Sequence, residues 1–527
     1  MSSFINESPI DFSIKAEREK LKAEINKLNI KIKKKKLTAY PVTNGDHVET
    51  DERQDRYNPA NNSELVSRTF YTPIGMLDNY FERINLYKNE FSKITIKERS
   101  NLLLKVADII AQKRLYFAAL CIKEAGKPWI EADAEIIEAI DFCRYYANEI
   151  LKFESPKTNQ DILGESNQTF YFPKGVSVII PPWNFPFAIP CGMLAASLVT
   201  GNISILKPAE QTSYIAYELF NCFLEAGFPK NSLVFAPGKG EIVGDYLVKN
   251  HSNIICFTGS KEVGLSILEE SSKSNQKNKY IKKVIAEMGG KNTIIVDESA
   301  DMDAAISGIT KSAFAFAGQK CSACSRVIIV GKIYNEFLER LKNATNDLII
   351  NNPENSNCFI SPVIDKESKA RIDTEIEKSK KIAKTLIHNE LDYSLKGNFV
   401  SPAIFHDVPL DSDLWKNEIF APVLACISIN SFEESIKIAN DSEYALTGGI
   451  FSRSPENIKF AINNLEVGNL YINRPCTGAI VERQPFGGFK LSGTGPKAGG
   501  KDYLLQFLEV KSVTENTMRK GFTPELT

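Results

Sequence analysis

The sequence predicts an α/β protein with open, largely parallel sheets, and three observations predict it. Five short, mostly apolar, β-branched runs recur at Val176–Ile180, 203–207, 233–236, Ile254–Thr258 and Lys283–Glu287. Amphipathic stretches of about 10–15 residues, such as 213–226 and 261–271, separate them, which is the strand–helix–strand signature of a helix-covered parallel sheet. A second alternating series from Thr293 to about Phe451 predicts a second α/β domain. The 527 residues correspond to three or four domain lengths of about 150 each, enough to bury large cores without disulfide or metal staples.

The other elements follow in chain order. Residues 14–36 are helix-prone and Lys-rich, which predicts a solvated surface helix; the alternative is a binding patch at Lys33 to Lys36. Residues 40–59 read as short strands with a turn at Asn44-Gly45. From Thr72 to about Leu151 apolar residues recur at i, i+3, i+4 and i+7, the helical period. A polar hairpin is predicted at 157–172, and 503–516 has an exposed strand pattern.

Composition excludes several function classes. Lys and Arg number 64 against 65 Asp and Glu, so the basic excess of a nucleic-acid or anionic-membrane binder is missing. The apolar windows at Val176–Pro181 and 189–199 fall short of the roughly 18 residues a membrane span needs, or are broken by Gly and Pro. The N-terminal MSSFINESPIDFS has no hydrophobic signal core, and 14–36 carries Glu17, Glu19 and Glu24, whereas transit peptides are poor in acids. A cytoplasmic location is expected, or the mitochondrial matrix if the source is eukaryotic. The four histidines, His47, His251, His388 and His406, are scattered and no HExxH is present, which argues against His-built metal sites and triads. Ten cysteines, mostly single, read as reduced thiols.

In open parallel sheets ligands bind beyond the carboxyl ends of the strands. Four of the five strand ends carry unusual residues: PPWNFP with Asn184, KPAEQT with Lys207 and Glu210, FTGSKEVG with Gly259 and Ser260, and AEMGGK with Glu287. Further on, GQKCSACSR places Cys321 and Cys324 in a small-residue turn. Ser260 at a helix start suits a pyrophosphate, although GSKEVG is not the GxGxxG fingerprint. The C-x-x-C spacing could be a thioredoxin-like pair, but the neighbouring motifs are not those of that fold, so Cys324 is read as a packing residue. A Cys321–Cys324 bridge remains an alternative under oxidation. The other eight cysteines are expected in the core.

These motifs, with NEIFAPV at 417–423 and PFGGFKLSGTG at 485–495, resemble the aldehyde dehydrogenase superfamily in order, from about Asn58 to Val510. Met288 and Ala421 depart from the commoner Leu and Gly. The resemblance implies a Rossmann-like NAD domain, an α/β catalytic domain and a β oligomerisation arm. The implied boundaries are 1–156 with 174–288, then 289–502, with the arm at 157–173 and 503–520.

The residues suit that chemistry. An aldehyde carbon must become tetrahedral before it gives up hydride, and a cysteine thiolate achieves this through a thiohemiacetal that leaves a thioester. Cys321 is the candidate nucleophile, and a thiol of ordinary pKa about 8.5 needs activation. With so few histidines, Glu287 is the natural base, and the Asn184 amide can donate to the oxyanion. The resemblance further implies that Lys207 and Glu210 hold the adenine ribose and Glu418 the nicotinamide ribose. Gly240, Gly259 and Phe420 complete the implied cofactor site. A carboxylate at Glu210 would repel a 2′-phosphate and favours NAD over NADP.

Residues 316–323 and the stretch CTGAIVERQPFGGFK resemble the branch of that family acting on L-glutamate γ-semialdehyde, which forms from 1-pyrroline-5-carboxylate in proline degradation. Thr477-Gly478-Ala479 can turn backbone N–H groups toward a substrate carboxylate, with the Ser322 hydroxyl and positive potential from Lys320 nearby. The branch implies that Glu138 meets the substrate ammonium and that Phe185 and Phe486 sandwich its methylenes. It also implies a homodimer or larger homo-oligomer, through arm edges left unpaired in a monomer, and proline dehydrogenase as a partner. The alternatives are a dehydrogenase of another semialdehyde or a silent binding protein on the same fold; a CoA-acylating enzyme is disfavoured by Glu287.

Overall fold

A computed structural model describes residues 4–250, 252–273 and 280–518. His251 and the last two residues assigned to the arm, 519 and 520, lie outside the described residues.

All five runs predicted first are strands, and they lie side by side in a seven-stranded sheet. Its order is Lys283–Glu287, Ile254–Thr258, Val176–Ile180, Ile203–Leu206 and Leu233–Phe235, all parallel, then the edge hairpin of Val42–Thr43 and Asp46–His47. Helices cover the sheet, so the central strands are buried on both sides and read as unbroken apolar runs rather than alternating ones. The hairpin turns through Asn44 and Gly45 with φ of 53° and 81°, the pair of left-handed residues an Asn-Gly turn supplies. Among the parallel strands the chain starts at Val176–Ile180, builds outward in one direction, then crosses back to Ile254–Thr258. The switch point therefore falls between those two strands.

The helical stretch forms Ile74–Glu82, Ile84–Phe91, Ile96–Gln112, Arg114–Glu124 and Trp129–Ile150. Thr95 and Glu98 close the start of the third as a reciprocal capping box. The Lys-rich stretch is a helix over Lys15–Lys34. It docks Leu21, Ile25, Leu28 and Ile32 into the main core and turns its lysines outward. Among the described residues, no helix is long and apolar enough to cross a membrane.

The second sheet also has seven strands: Lys384–Ile387, Ala403–His406, Val423–Ile429, Cys324–Val330, Asn292–Val296, Thr447–Phe451 and Asn469–Ile472. Only Lys384–Ile387 runs antiparallel. The series extends past the expected end at Phe451, because Asn469–Ile472 adds in parallel to Thr447–Phe451 at the edge. Residues Tyr503–Phe507, expected as strand, form a 3-10 helix whose Tyr503, Leu504 and Phe507 pack in the core. The strand proper is Leu508–Asn516, paired along its whole length with Glu165–Pro173, and Lys157–Thr158 completes a small exposed sheet.

Candidate active site

Residues that follow strands of the first sheet meet residues that precede strands of the second. The connection is short: Lys283–Glu287 passes through Met288 to Lys291 into Asn292–Val296, so one sheet's carboxyl ends face the other's amino ends. Asn184 and Ser260 follow the two switch-point strands; Cys321 and Glu418 precede Cys324–Val330 and Val423–Ile429. The carboxyl-end rule therefore holds for the first sheet only.

Cys321 sits in a turn that local propensity alone would not form. Phe316, Ala317 and Gly318 are successive left-handed residues, at φ of 55°, 53° and 67°. For the two that are not glycine this costs about 1–2 kcal/mol each. Gly318 is obligatory, because a Cβ there would lie 2.3 Å from the Ala421 carbonyl oxygen. Surrounding polar groups hold the turn. The buried Gln319 side chain donates to the Phe316 and Pro362 carbonyls, both at 3.2 Å, and accepts from the Ile364 N–H at 2.9 Å. Asn292 donates to the carbonyls of Cys321 at 2.7 Å and Ala323 at 2.9 Å. All ten cysteines are free thiols, and nine are buried; Cys321 is the one with solvent access. Cys324 is buried with its thiol toward the Arg326 carbonyl at 3.3 Å, a packing position.

Burial pushes the Cys321 thiol well up, and the charges of Glu287, Glu418 and Glu138 push it further. Burial also raises Glu287, to about 7, against the opposing charge of Lys497. A protonated thiol beside a carboxyl that titrates near neutrality is an acid–base pair set up for proton transfer. The Asn184 amide donates to the Gln319 carbonyl at 2.9 Å and so is held against the nucleophile turn.

The sequence reading missed what holds Asn184. Lys127 and Glu135 form a fully buried ion pair at 2.7 Å. The Lys127 ammonium also donates to the Asn184 carbonyl at 2.9 Å and lies 3.8 Å from the Phe185 ring centre and 4.8 Å from that of Phe316. Glu135 accepts the N–H groups of Phe187 and Ala188, at 2.7 and 3.2 Å, where helix Ala188–Val199 begins. One ion pair thus ties the Asn184 loop, the Phe185 ring and the approach to Cys321.

Cofactor candidates line the first sheet's edge. Glu210 accepts the Gly240 N–H at 2.9 Å and stands 3.9 Å from the buried Lys207 ammonium. Ser260 caps helix Lys261–Ser272 through the Val263 N–H, leaving that helix's first N–H groups for a phosphate. Glu418 accepts the Gly290 N–H at 3.0 Å and is pushed up to about 7 by burial. Gly289 leaves room for Glu418: a Cβ there would lie 2.0 Å from the carboxylate and displace it. Phe420, itself left-handed at φ 57°, packs edge-on to Trp183. A carboxylate beside a buried ammonium and an open helix start form a donor and acceptor set that fits a dinucleotide. Among the described residues, no group of three or more His, Cys, Asp or Glu side chains is placed to hold a metal.

On the other side, Gly478 is left-handed at φ 77° with open space where a Cβ would point. The N–H groups of Gly478 and Ala479 have no partner among the described residues. The Ser322 carbonyl is tied to Thr447 at 3.2 Å, and its hydroxyl has no partner among them. Burial raises Glu138 to about 8, and the charge of Glu135 adds to this. Phe486 is fixed by paired backbone bonds with Ala498 at 2.8 and 2.9 Å. The Lys320 ammonium is paired with Glu131 at 2.6 Å.

A dinucleotide-type sheet edge joined to a strained cysteine turn and a half-buried carboxyl fits a dehydrogenase. The sequence profile of the aldehyde dehydrogenase family matches residues 47–513, and the chain belongs to that family. It is 42% identical to the 1-pyrroline-5-carboxylate dehydrogenase of Geobacillus sp. strain WCH70, over 96% of this chain and 98% of that one. It is also 42% identical to 1-pyrroline-5-carboxylate dehydrogenase 2 of Bacillus subtilis, over 90% and 93% of the two chains. Among solved structures, the Thermus 1-pyrroline-5-carboxylate dehydrogenase with bound NAD superposes with a TM-score of 0.94 at 38% identity, over 98% of this chain and 99% of that one. Proline utilization A from Bdellovibrio bacteriovorus superposes with a TM-score of 0.96 at 41% identity; it spans 99% of this chain, which corresponds to 54% of that longer protein.

Proposed function

We propose that this chain catalyses the NAD-dependent oxidation of L-glutamate γ-semialdehyde, in equilibrium with 1-pyrroline-5-carboxylate, to L-glutamate. The observation that carries the reading is the grouping of the Cys321 thiol with the half-buried carboxyls of Glu287 and Glu138, together with Gly478 and Ala479 N–H groups that have no partner among the described residues.

Each residue has a task. Glu287 takes the proton of the Cys321 thiol, whose sulfur then bonds to the aldehyde carbon. The Asn184 amide turns from the Gln319 carbonyl to the new oxyanion, joined by the Cys321 N–H. When bound, NAD accepts the hydride of the resulting thiohemiacetal. Glu287 releases the thiol proton to solvent and, ionised again, takes a proton from the water that cleaves the thioester. Lys207, Glu210, Gly240, Gly259, Ser260, Glu418 and Phe420 hold the cofactor.

The substrate's amino-acid end explains the rest. Its carboxylate completes the free N–H groups of the 477–479 loop and the Ser322 hydroxyl. Glu138, raised by burial, ionises against the incoming ammonium, and Phe185 and Phe486 flank the methylenes between. The comparison that tests this is kcat/KM for glutamate semialdehyde against succinate semialdehyde, which lacks the ammonium. A strong preference for the amino-bearing substrate is expected, and equal values would overturn the assignment.

The sheet edges near Lys157–Thr158 and Leu508–Asn516 support an oligomer in which this arm, at 157–173 and 503–520, reaches a second copy. The two sheets support division into a cofactor domain, 1–156 with 174–288, and a catalytic domain, 289–502. The match to half of a proline-utilization protein supports a proline dehydrogenase as the partner that supplies the substrate. The reduced cysteines and the bacterial relatives support a cytoplasmic location.

A further inference from the structure

Residues 4–12, ahead of helix Lys15–Lys34, lie along helix Trp129–Ile150, which carries Glu138. The Ile10 N–H donates to Asp133 Oδ2 at 3.0 Å and the Glu7 N–H to Asp141 Oδ1 at 2.8 Å. The Glu7 carboxylate pairs with Arg144 at 2.6 Å. The rings of Phe4 and Phe12 meet Tyr145 and Trp129 edge-on, with centres 5.3 and 5.5 Å apart. Asn6 joins this helix to a second element. Its side-chain amide donates to Asp141 Oδ2 at 2.9 Å and to the Val481 carbonyl at 3.0 Å.

Both ends of that bridge lie close to the substrate groups. Asp141 is three residues past Glu138 on the same helix, one turn along. Val481 is two residues past Ala479, whose N–H, like that of Gly478, has no partner among the described residues. The intervening chain is tight: the Ile480 N–H donates to Gln484 Oε1 at 3.1 Å, and the Gln484 N–H to the Ile480 carbonyl at 2.9 Å. Gly499 is wedged between loop and helix at φ 71°, where a Cβ would lie 3.3 Å from the Val481 Cα and 3.5 Å from the Phe142 ring.

We propose that Asn6 is a positioning residue for substrate specificity. Its amide couples the helix that carries Glu138 to the loop that carries Gly478 and Ala479, and so fixes the separation of the two groups that grip the substrate's amino-acid end. The residue type fits the task. An amide NH₂ has two N–H donors, and here one is spent on each element. A hydroxyl would offer one donor, and an ionised carboxylate none. The buried Asp141 carboxylate has both oxygens held by this segment, Oδ1 by Glu7 and Oδ2 by Asn6. Without the Asn6 amide, Asp141 Oδ2 and the Val481 carbonyl lose their shared donor, and the helix and the loop lose the side chain that joins them. Among the described residues Asn6 makes no bond to the Cys321 turn or the Asn184 loop, so the aldehyde end of the substrate is untouched.

The inference rests on Glu138 meeting the substrate ammonium and the 477–479 loop its carboxylate. The test compares steady-state kcat and KM of the full chain for glutamate semialdehyde and for propanal, which has neither charged group. Asn6→Ala should raise KM for glutamate semialdehyde about tenfold, the worth of a hydrogen bond to a charged group, with kcat little changed and the propanal constants unaltered. Asn6→Gln, which keeps both donors, should recover most of that affinity. Asn6→Ser, with one donor, takes the place of the Ala variant should that one not fold. An unchanged KM for glutamate semialdehyde overturns the proposal. So does an equal loss for both aldehydes, which a merely structural role would give, or a Gln variant as impaired as Ala. A wild type without preference for glutamate semialdehyde over propanal would instead remove the substrate reading itself.

Discussion

The two sheets use opposite ends. In the first, the residues of the site follow the strands: Asn184, Lys207, Ser260 and Glu287 come from the carboxyl ends, where open parallel sheets bind ligands. In the second, Asn292, Cys321 and Glu418 lie at amino ends, while the Gly478 turn follows the edge strand Asn469–Ile472. The difference follows from the four-residue passage between Glu287 and Asn292, which keeps the chain travelling the same way. The candidate site therefore takes Glu210 and Ser260 from one sheet and Cys321 from the other. The second sheet must build its half from turns rather than from a helix start, and its two turns are built differently. The Cys321 turn is held by several protein hydrogen bonds, whereas the Gly478 and Ala479 N–H groups have no partner among the described residues.

Substitutions can break that contrast, and their effects should fall in order. Cys321→Ala should lower NADH formation by on the order of 10⁴-fold or more while NAD still binds, read by steady-state rates and cofactor fluorescence. Asn184→Ala should cost about 10²–10³ in kcat, as for loss of one oxyanion donor, with KM little changed. Glu138→Gln should raise KM for glutamate semialdehyde by about 10–100-fold, the worth of a charge-assisted hydrogen bond, and leave succinate semialdehyde unaffected.

The two left-handed glycines give the sharpest pair. Gly318→Ala forces a Cβ against the Ala421 carbonyl, so the turn must shift; thermal unfolding and kcat should both fall. Gly478→Ala meets no atom and should lose only the left-handed penalty, about 1–2 kcal/mol at most, with a modest rise in KM. Equal damage at both would mean that the second turn is as packed as the first.

The pH profile adds a check on the base. Because burial holds Glu287 at about 7 and the base form is the active one, kcat should fall as pH drops through that value.

How much of this was legible in the sequence differs between the sheets in the same way. The five parallel strands of the first sheet were readable, because double burial writes them as β-branched runs bounded by turns. The motif residues at their ends were readable with them. The pairing that supports them was not: Lys127 reaches Asn184 across 57 residues, and Lys320 reaches Glu131 across 189. No periodicity encodes contacts that long, so neither Lys127 nor Glu131 was singled out. The amino-end placement of Cys321 was equally hidden, since it depends on how two sheets abut.

The most direct test of the account is NADH formation from 1-pyrroline-5-carboxylate by the intact protein, with Cys321→Ala and NADP as comparisons. The account predicts rapid NADH formation by the wild type, little reduction of NADP, and none of either by the variant. Activity retained without the Cys321 thiol, or no turnover of this substrate by the wild type, would contradict it.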